Sequence, residues 1–241
     1  MENPLHHFEL HPIVHLSLFG LDISINQAVI MMWVVCGLVF LFFYVAARSR
    51  QLIPTKIQSL AEMAIEFLRN LVLENMGEAG LKFFPFIATL FFFILFSNYL
   101  GLVPGAYTVT SQIMVTGLFA VVVYFISLVV GFMLHGLKFL TILAPSGTPW
   151  WLLPLMIPIE LVSQLARPVT LAVRLFANMT AGHTILNVLF ALMLAGGLLF
   201  GWLPFAFTLF VYVLEVLIAF IQAYIFTVLA CVYIGDAIKL H

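Results

Sequence analysis

The feature that most constrains this chain is a long uncharged stretch, because no Asp, Glu, Lys or Arg occurs between Lys82 and Lys138. Only 8% of the 241 residues are charged and 64% are hydrophobic, including 25 Phe. A soluble protein carries roughly 25% charged residues, and a disordered one is poor in aromatic residues. The composition therefore predicts a membrane protein. The net charge of −1 offers no polyanion-binding surface, so we expect no nucleic-acid partner.

Apolar runs long enough to cross a bilayer occur five times in the chain. A helix rises about 1.5 Å per residue, so about 20 apolar residues cover the roughly 30 Å hydrocarbon core. We therefore expect an all-α, polytopic membrane protein forming a single membrane domain, 1–241. The predicted membrane helices cover 23–47, 83–103, 112–134, 152–195 and 203–236.

Basic residues follow the first predicted span, at Arg48, Arg50 and Lys56. The positive-inside rule places that end in the cytoplasm and the N-terminal tail, 1–22, outside. The tail has no Lys or Arg and so lacks the basic region of a cleaved signal peptide, and we expect it to be retained. Five spans then put the C-terminus inside.

Residues 54–76 carry a different pattern, with apolar and polar residues on opposite sides of a helix. The apolar side holds Ile57, Leu60, Ala64, Phe67, Leu68 and Leu71, and the polar side holds Gln58, Glu62, Glu66, Arg69 and Asn70. This pattern predicts an amphipathic helix lying in the membrane interface on the cytoplasmic side. The alternative is a soluble connecting helix packed on the bundle.

The last two apolar segments are longer than a perpendicular helix needs. The residues between them include Gly196, Gly197, Gly201 and Pro204. A helix of about 30 residues is about 45 Å long, so we expect these segments to form a long, steeply tilted helical hairpin. Bends at Pro154, Pro158 and Pro168 in the first arm would reduce the tilt.

This hairpin carries Glu160, Arg167, Arg174, His183 and Glu215 inside otherwise apolar sequence. An ionised group at the bilayer centre costs about 2.5–3.5 kcal/mol, which favours a functional role. Seven residues turn a helix by about 700°, close to two full turns, so Glu160, Arg167 and Arg174 share one stripe. Asn178, four residues beyond Arg174, continues that stripe.

Structural roles for these charges stay open from the residues alone. Arg167 could extend its guanidinium to the cytoplasmic headgroups, and Glu160, nearer that surface, could be solvated. Arg174 has no such route to water, and its structural alternative is a buried ion pair with Glu215. Such a pair is an expensive way to hold two helices together.

The second arm carries polar residues that could face His183. Glu215 and Gln222 are seven residues apart and share a stripe, with Tyr212 and Tyr224 nearby. Antiparallel pairing of the arms makes His183 and Glu215 neighbours in the outer half of the membrane. A lone membrane histidine is more often a packing donor, whereas a histidine facing a glutamate indicates a proton relay.

Three motifs resemble subunit a of F-type ATP synthases, bacterial or mitochondrial. They are RLFANMTAGH at 174–183, IQAYIFTVL at 221–229 and NYLGLVPG at 98–105. The match runs from the first span to the C-terminus. The resemblance implies a proton-conducting stator subunit with two offset half-channels, which couples proton flow to rotation of a ring of c subunits and to ATP synthesis.

The resemblance also implies a role for individual residues. Arg174 becomes the essential arginine facing the c-ring. The proton entry path would include Asn178, His183, Glu215 and Gln222, and the exit path Glu160, with Arg167 in a supporting role. Some family members carry a carboxylate at the position of His183 and a histidine at that of Glu215, so this chain has the exchanged arrangement of the same pair.

Partners and location follow from the same resemblance. It implies contacts with the c-ring, the peripheral-stalk b subunits, other ATP synthase subunits and the lipid bilayer, with no cofactor, no metal and no catalysis by this chain. We expect a bacterial inner membrane, with the N-terminus periplasmic and the C-terminus cytoplasmic; a mitochondrial inner membrane is the alternative.

Other functional classes fit the residues less well. A secondary ion transporter would also need intramembrane Arg, Glu and His, but it predicts repeats and broken helices, which the sequence lacks. A haem-binding membrane protein would have only His135 and His183 in or near its spans. A scaffold would not need an arginine as costly as Arg174.

Overall fold

The structure is a computed structural model of the 241-residue chain. It describes residues 12–14, 17–18, 21–22, 25–48, 55–103, 109–136, 138–139 and 151–239. Side chains at 12–25, 111, 165, 183 and 198–200 lie outside that description. The α-helices of the described ranges are α1 (Gln27–Arg48), α2 (Lys56–Met76), α3 (Phe84–Gly101), α4 (Ile113–His135), α5 (Leu153–Phe200) and α6 (Trp202–Ile238).

Within the described ranges, five helical segments are long and apolar enough to cross a membrane. They are Gln27–Arg48, Glu78–Gly101, Ile113–His135, Leu153–Gly197 and Trp202–Ile238. The second includes a 3₁₀ turn, Glu78–Phe83, that leads into α3. Large apolar side chains such as Trp33, Phe40 and Met114 are exposed on these helices, as expected where lipid is the solvent. The prediction of an all-α, polytopic membrane protein is confirmed.

Among the residues that the structure describes before α1, there are four short strands, which were not predicted for the N-terminal tail. Strands β1 (Pro12–Val14) and β4 (Ile25–Asn26) pair antiparallel, as do β2 (Ser17–Leu18) and β3 (Leu21–Asp22). Two or three residues are too few to produce the alternating pattern by which a strand is recognised. Strand β4 includes Ile25 and Asn26, so α1 begins at the next residue, Gln27.

Helix α2 has apolar residues both inside and outside the protein. The residues that it buries are Ala61, Leu68, Leu71, Val72 and Met76. Ile57, Leu60, Met63 and Phe67 remain exposed. Thr55 caps the helix, since its hydroxyl accepts a hydrogen bond from the Gln58 backbone N–H. Exposed apolar residues beside a buried face favour a helix at the lipid interface over a soluble connector.

The hairpin of α5 and α6 turns at glycines, as expected. Gly197 breaks α5 with φ 56°, a left-handed conformation that glycine adopts without a steric penalty. Gly201 then forms the turn into α6. Pro158 and Pro168 lie inside α5. The steep tilt of the pair stays a prediction.

The chain divides into two compact units. The first unit comprises Met1–Phe42, Phe92–Ile113 and Leu175–Ala223. Its interior contains a polar network: buried Asn98 donates from Nδ2 to the Ala219 carbonyl (3.1 Å) and accepts from the Thr110 hydroxyl (2.9 Å). The Tyr212 hydroxyl donates to the Leu102 carbonyl (3.3 Å). These bonds tie the C-terminal half of α3 to α6.

The second unit comprises Phe43–Phe91, Met114–Arg174 and Tyr224–His241. Here the C-terminal end of α6 packs closely on α2, since a Cβ added at Gly235 would lie 2.8 Å from the Asn75 carbonyl oxygen. Helix α4 contacts the same end of α6 through two of its polar side chains. Ser127 donates to the Tyr233 carbonyl (2.7 Å), and the His135 ring lies 3.2 Å from the Ile238 carbonyl oxygen.

Candidate functional site

Arg174 lies on an exposed face of α5. Its side chain is exposed, whereas its neighbours Leu171 and Leu175 are buried. The exposed residues beside it on α5 are mainly apolar, among them Val169 and Val173, and Thr170 is the polar exception. Within the described residues Arg174 makes no salt bridge. A guanidinium on an apolar surface is costly in lipid, and this face is therefore suited to an anionic partner.

Glu215 lies in the first unit, where α6 packs against α5. Its carboxylate contacts Gly182 so closely that a Cβ at position 182 would lie 2.8 Å from Cδ of Glu215. A cavity of about 140 Å³ opens beside this contact. The residues around the cavity include Leu102, Asn178, Gly182, Val211, Glu215 and Ile218. Asn178 and Glu215, both predicted site residues, therefore share one cavity.

The side chain of His183 lies outside the described part of the structure, although its backbone continues α5. The residue before it, Gly182, contacts Glu215. The expected proximity of positions 183 and 215 is therefore supported by the backbone, and the contact between the two side chains stays a prediction.

Four buried polar atoms in the first unit lack a hydrogen-bond partner within the described residues. They are Ser97 Oγ, Thr180 Oγ1, Glu215 Oε1 and Gln222 Nε2. Buried polar groups normally have a partner, so such atoms indicate bound water or another chain. Ser97 and Thr180 were not predicted as site residues. The only signal that could have found them is their hydroxyl groups within apolar runs.

Glu160 lies in the second unit and is half-buried on α5. Its Oε1 accepts a hydrogen bond from Nε2 of Gln164, one turn further along the same helix (3.0 Å). It is therefore partly sheltered, and Gln164 was not among the predicted site residues.

Arg167 is paired with a residue that the sequence analysis did not single out. Its Nη1 lies 3.4 Å from Oδ2 of Asp236, and its guanidinium lies 5.4 Å from the centre of the Tyr233 ring. Whether the guanidinium also reaches the headgroups stays open, as in the sequence. Asp236 was missed because it stands near the end of a predicted span, where a charge needs no explanation.

The carboxylates of this arrangement can accept and release protons. No three His, Cys, Asp or Glu side chains within them come together as a metal site. What the first unit offers is a small cavity lined by the Glu215 carboxylate and the Asn178 side chain. What the second unit offers is an exposed arginine on the same helix as a half-buried glutamate.

Comparisons with known proteins agree on one family. A family model described as ATP synthase A chain matches residues 29–235. Proteins named ATP synthase subunit a include one from Magnetococcus marinus, 50% identical over 99% of this chain and 94% of its own length. The protein of that name from Rhodospirillum rubrum is 44% identical over the whole of both chains. That from Acidiphilium cryptum is 46% identical over 92% of each.

Proposed function

This chain belongs to the ATP synthase A chain family, and we propose that it is the proton-conducting stator subunit in the membrane sector of an F-type ATP synthase. The observation that carries the proposal is Arg174, an exposed arginine on an apolar helix face with no salt bridge among the described residues. Such a residue is expensive in lipid unless a partner supplies a carboxylate.

Arg174 acts on that carboxylate without carrying a proton itself. A guanidinium does not deprotonate under protein conditions, but it attracts a carboxylate that has just lost a proton. A ring carboxylate therefore passes Arg174 in its charged form and takes up a proton afterwards. It travels through lipid neutral, because an ion there would cost too much.

The entry half-channel uses Asn178, His183, Glu215 and Gln222. The cavity beside Glu215 has room for several water molecules at about 140 Å³. Asn178 and Glu215 line this cavity and supply polar contacts for such water, and the buried, unpartnered Nε2 of Gln222 offers a further polar contact elsewhere on α6. Protons would then pass between water, the imidazole of His183 and the carboxylate of Glu215, since histidine changes its charge near neutral pH.

The exit half-channel uses Glu160, on the other side of Arg174 in the sequence of α5. The half-buried Glu160 carboxylate, with Gln164 as its hydrogen-bond donor, is suited to receive a proton. Separation of the two half-channels is essential, because a continuous water path would dissipate the gradient. A charge moved through 100 mV releases about 2.3 kcal/mol, so several protons are needed for each ATP.

The chain performs no bond chemistry in this scheme. Its partners are the ring of c subunits, the peripheral-stalk b subunits and the remaining ATP synthase subunits. It lies in a bacterial inner membrane as a multi-pass protein, with a periplasmic N-terminus and a cytoplasmic C-terminus. Basic residues after the first span support that orientation.

Replacement of Arg174 by alanine in the complete enzyme tests the proposal. In vesicles containing the ATP synthase with Arg174→Ala, ATP-driven proton pumping should be lost, and passive proton leak should rise. The matched control is Arg69→Ala, which removes the same charge from an exposed position on α2. Pumping by Arg174→Ala at the rate of the control would overturn the proposed function.

A further inference from the structure

Arg167 is held on two sides by residues of α6. Its Nη1 faces Oδ2 of Asp236 at 3.4 Å, with the two side chains 31% and 46% exposed. Its guanidinium also lies 5.4 Å from the centre of the Tyr233 ring, within cation–π range. Tyr233 and Asp236 are three residues apart and so occupy neighbouring positions on one face of α6. These two contacts therefore fix the position of the Arg167 side chain along α6 and the direction in which it points.

The end of α6 that carries this contact is itself anchored. Gly235 packs against the backbone of Asn75 in α2, and Lys239 Nζ donates to the Asn75 carbonyl (3.4 Å). Ser127 of α4 donates to the carbonyl of Tyr233, the residue under the Arg167 guanidinium (2.7 Å). Asp236 is therefore a fixed point rather than a mobile charge at a helix end.

The segment of α5 around Arg167 is weakly held by its own backbone. Pro168 has no N–H, so the helical hydrogen bond to the carbonyl four residues earlier is absent. The Thr170 hydroxyl donates to the carbonyls of Ala166 (2.8 Å) and Arg167 (2.9 Å), an arrangement that bends helices. A helix segment that lacks one of its own hydrogen bonds gains from support by a neighbouring helix.

Arg174 lies two turns beyond this segment. Seven residues bring it back to within about 20° of Arg167, about 10 Å further along the helix. Rotation of α5 by about 20° would carry a side chain at a radius of about 5–6 Å sideways by about 2 Å. A contact that holds α5 at Arg167 therefore also determines the position of the Arg174 guanidinium.

We propose that Arg167, Asp236 and Tyr233 form a brace that positions Arg174, and that Arg167 and Asp236 are positioning residues rather than proton carriers. This proposal rests on the proposed function, because it names what holds the essential arginine in place. Removal of either charge should leave the helices assembled and let α5 turn or bend at Pro168.

The test compares single and exchanged charges in the complete ATP synthase. The variants are Asp236→Asn, Arg167→Gln and the double exchange Arg167→Asp with Asp236→Arg. Glu74→Gln is the control, since it removes a charge from an exposed position on α2 in the same unit. Two properties are measured: ATP-driven pumping in vesicles, and hydrogen–deuterium exchange of backbone amides in peptides covering 166–175.

Each single variant should speed exchange in 166–175 and lower pumping by about tenfold or more, as a misplacement of about 1 Å does at other precisely arranged sites. The double exchange should restore both properties in part, because it restores the ion pair but not the contact with the Tyr233 ring. Unchanged amide exchange in 166–175 of the Asp236→Asn variant would overturn the brace. Pumping by that variant at the rate of Glu74→Gln would overturn it as well. A double exchange that pumps no better than Asp236→Asn would also overturn it, because a carboxylate would then be needed at position 236 itself.

The exchange measurement keeps this proposal separate from the proposed function. Amide exchange reports the backbone of α5 and does not depend on proton transport. If Arg174→Ala pumped normally, the proposed function would fail while the exchange result still stood. If Arg174→Ala abolished pumping and Asp236→Asn left amide exchange in 166–175 unchanged, only the brace would fail.

Discussion

Gly182 of α5 packs directly against the carboxylate of Glu215 on α6, and no side chain larger than hydrogen fits between them. A Cβ at position 182 would overlap Oε1 and lie 2.8 Å from Cδ of Glu215. Small residues allow membrane helices to approach closely. Here the close approach also holds a titratable group against the helix that carries His183 and Arg174.

Substitution of Gly182 by alanine should therefore displace the Glu215 carboxylate. We expect ATP-driven pumping by Gly182→Ala to fall by about tenfold or more, since overpacking forces neighbouring groups to move and small shifts at such sites have large effects. The measurement is pumping in vesicles containing the complete enzyme. Gly117→Ala is the control, because nothing lies within 4 Å of a Cβ at that position.

The shorter acid provides a second check on this contact. Glu215→Asp combined with Gly182→Ala should pump better than Gly182→Ala alone, because aspartate withdraws the carboxylate by one methylene. Equal pumping by Gly182→Ala and Gly117→Ala would contradict the steric explanation.

Exchange of the imidazole and the carboxylate should be tolerated better than loss of either. The double variant His183→Glu with Glu215→His keeps one acid and one imidazole, so proton transfer between them can continue. Truncation in His183→Ala or Glu215→Ala leaves a single titratable group. Initial pumping rates distinguish the cases, and an equal loss in all three variants would argue against a relay.

Gln222 should matter more for conduction than for stability. Its side chain is 4% exposed, and Nε2 has no hydrogen-bond partner among the described residues. Gln222→Leu removes a buried amide whose Nε2 makes no hydrogen bond within the described residues. We therefore expect the thermal stability to be unchanged or higher. Pumping should slow several-fold, because a polar contact for water is lost. Reduced stability with normal pumping would reverse this interpretation.

Asn98 should show the opposite balance. It is fully buried, donates to the Ala219 carbonyl and accepts from the Thr110 hydroxyl. Asn98→Leu breaks both bonds and should lower the free energy of unfolding by about 1–3 kcal/mol, at roughly 0.5–1.5 kcal/mol for each. Titration of the detergent-solubilised protein with denaturant measures the loss. Thr110→Val breaks one bond and should cost less; an equal cost would place the main contribution at Thr110.

The positions of the membrane helices could be predicted because hydropathy is a local property. Uncharged stretches such as that between Lys82 and Lys138 indicate spans whatever the rest of the chain does. Glu160, Arg174 and Glu215 were recognisable for the same reason, since a charge within such a stretch stands out. The glycines at 197 and 201 likewise marked the break and turn between α5 and α6.

Partners distant in sequence could not be predicted in this way. Arg167 and Asp236 are 69 residues apart, and the pairing depends on how α5 and α6 pack. Asn98 bonds to a backbone carbonyl, which any residue at position 219 would offer. The contact between Gly182 and Glu215 depends on the distance between two backbones, which composition does not reveal. The strands before α1 are too short to leave a pattern.

The hydrogen bonds that end on α6 also bear on how the protein is made. Asn98 of α3 bonds to Ala219, Ser127 of α4 to Tyr233, and Lys239 reaches back to Asn75 of α2. A ribosome that has delivered α2, α3 and α4 to the membrane has not yet supplied any of these partners. The earlier helices therefore lack these hydrogen-bond partners in the bilayer until α6 has been translated. A chain truncated before Ala219 would leave the same groups unpaired.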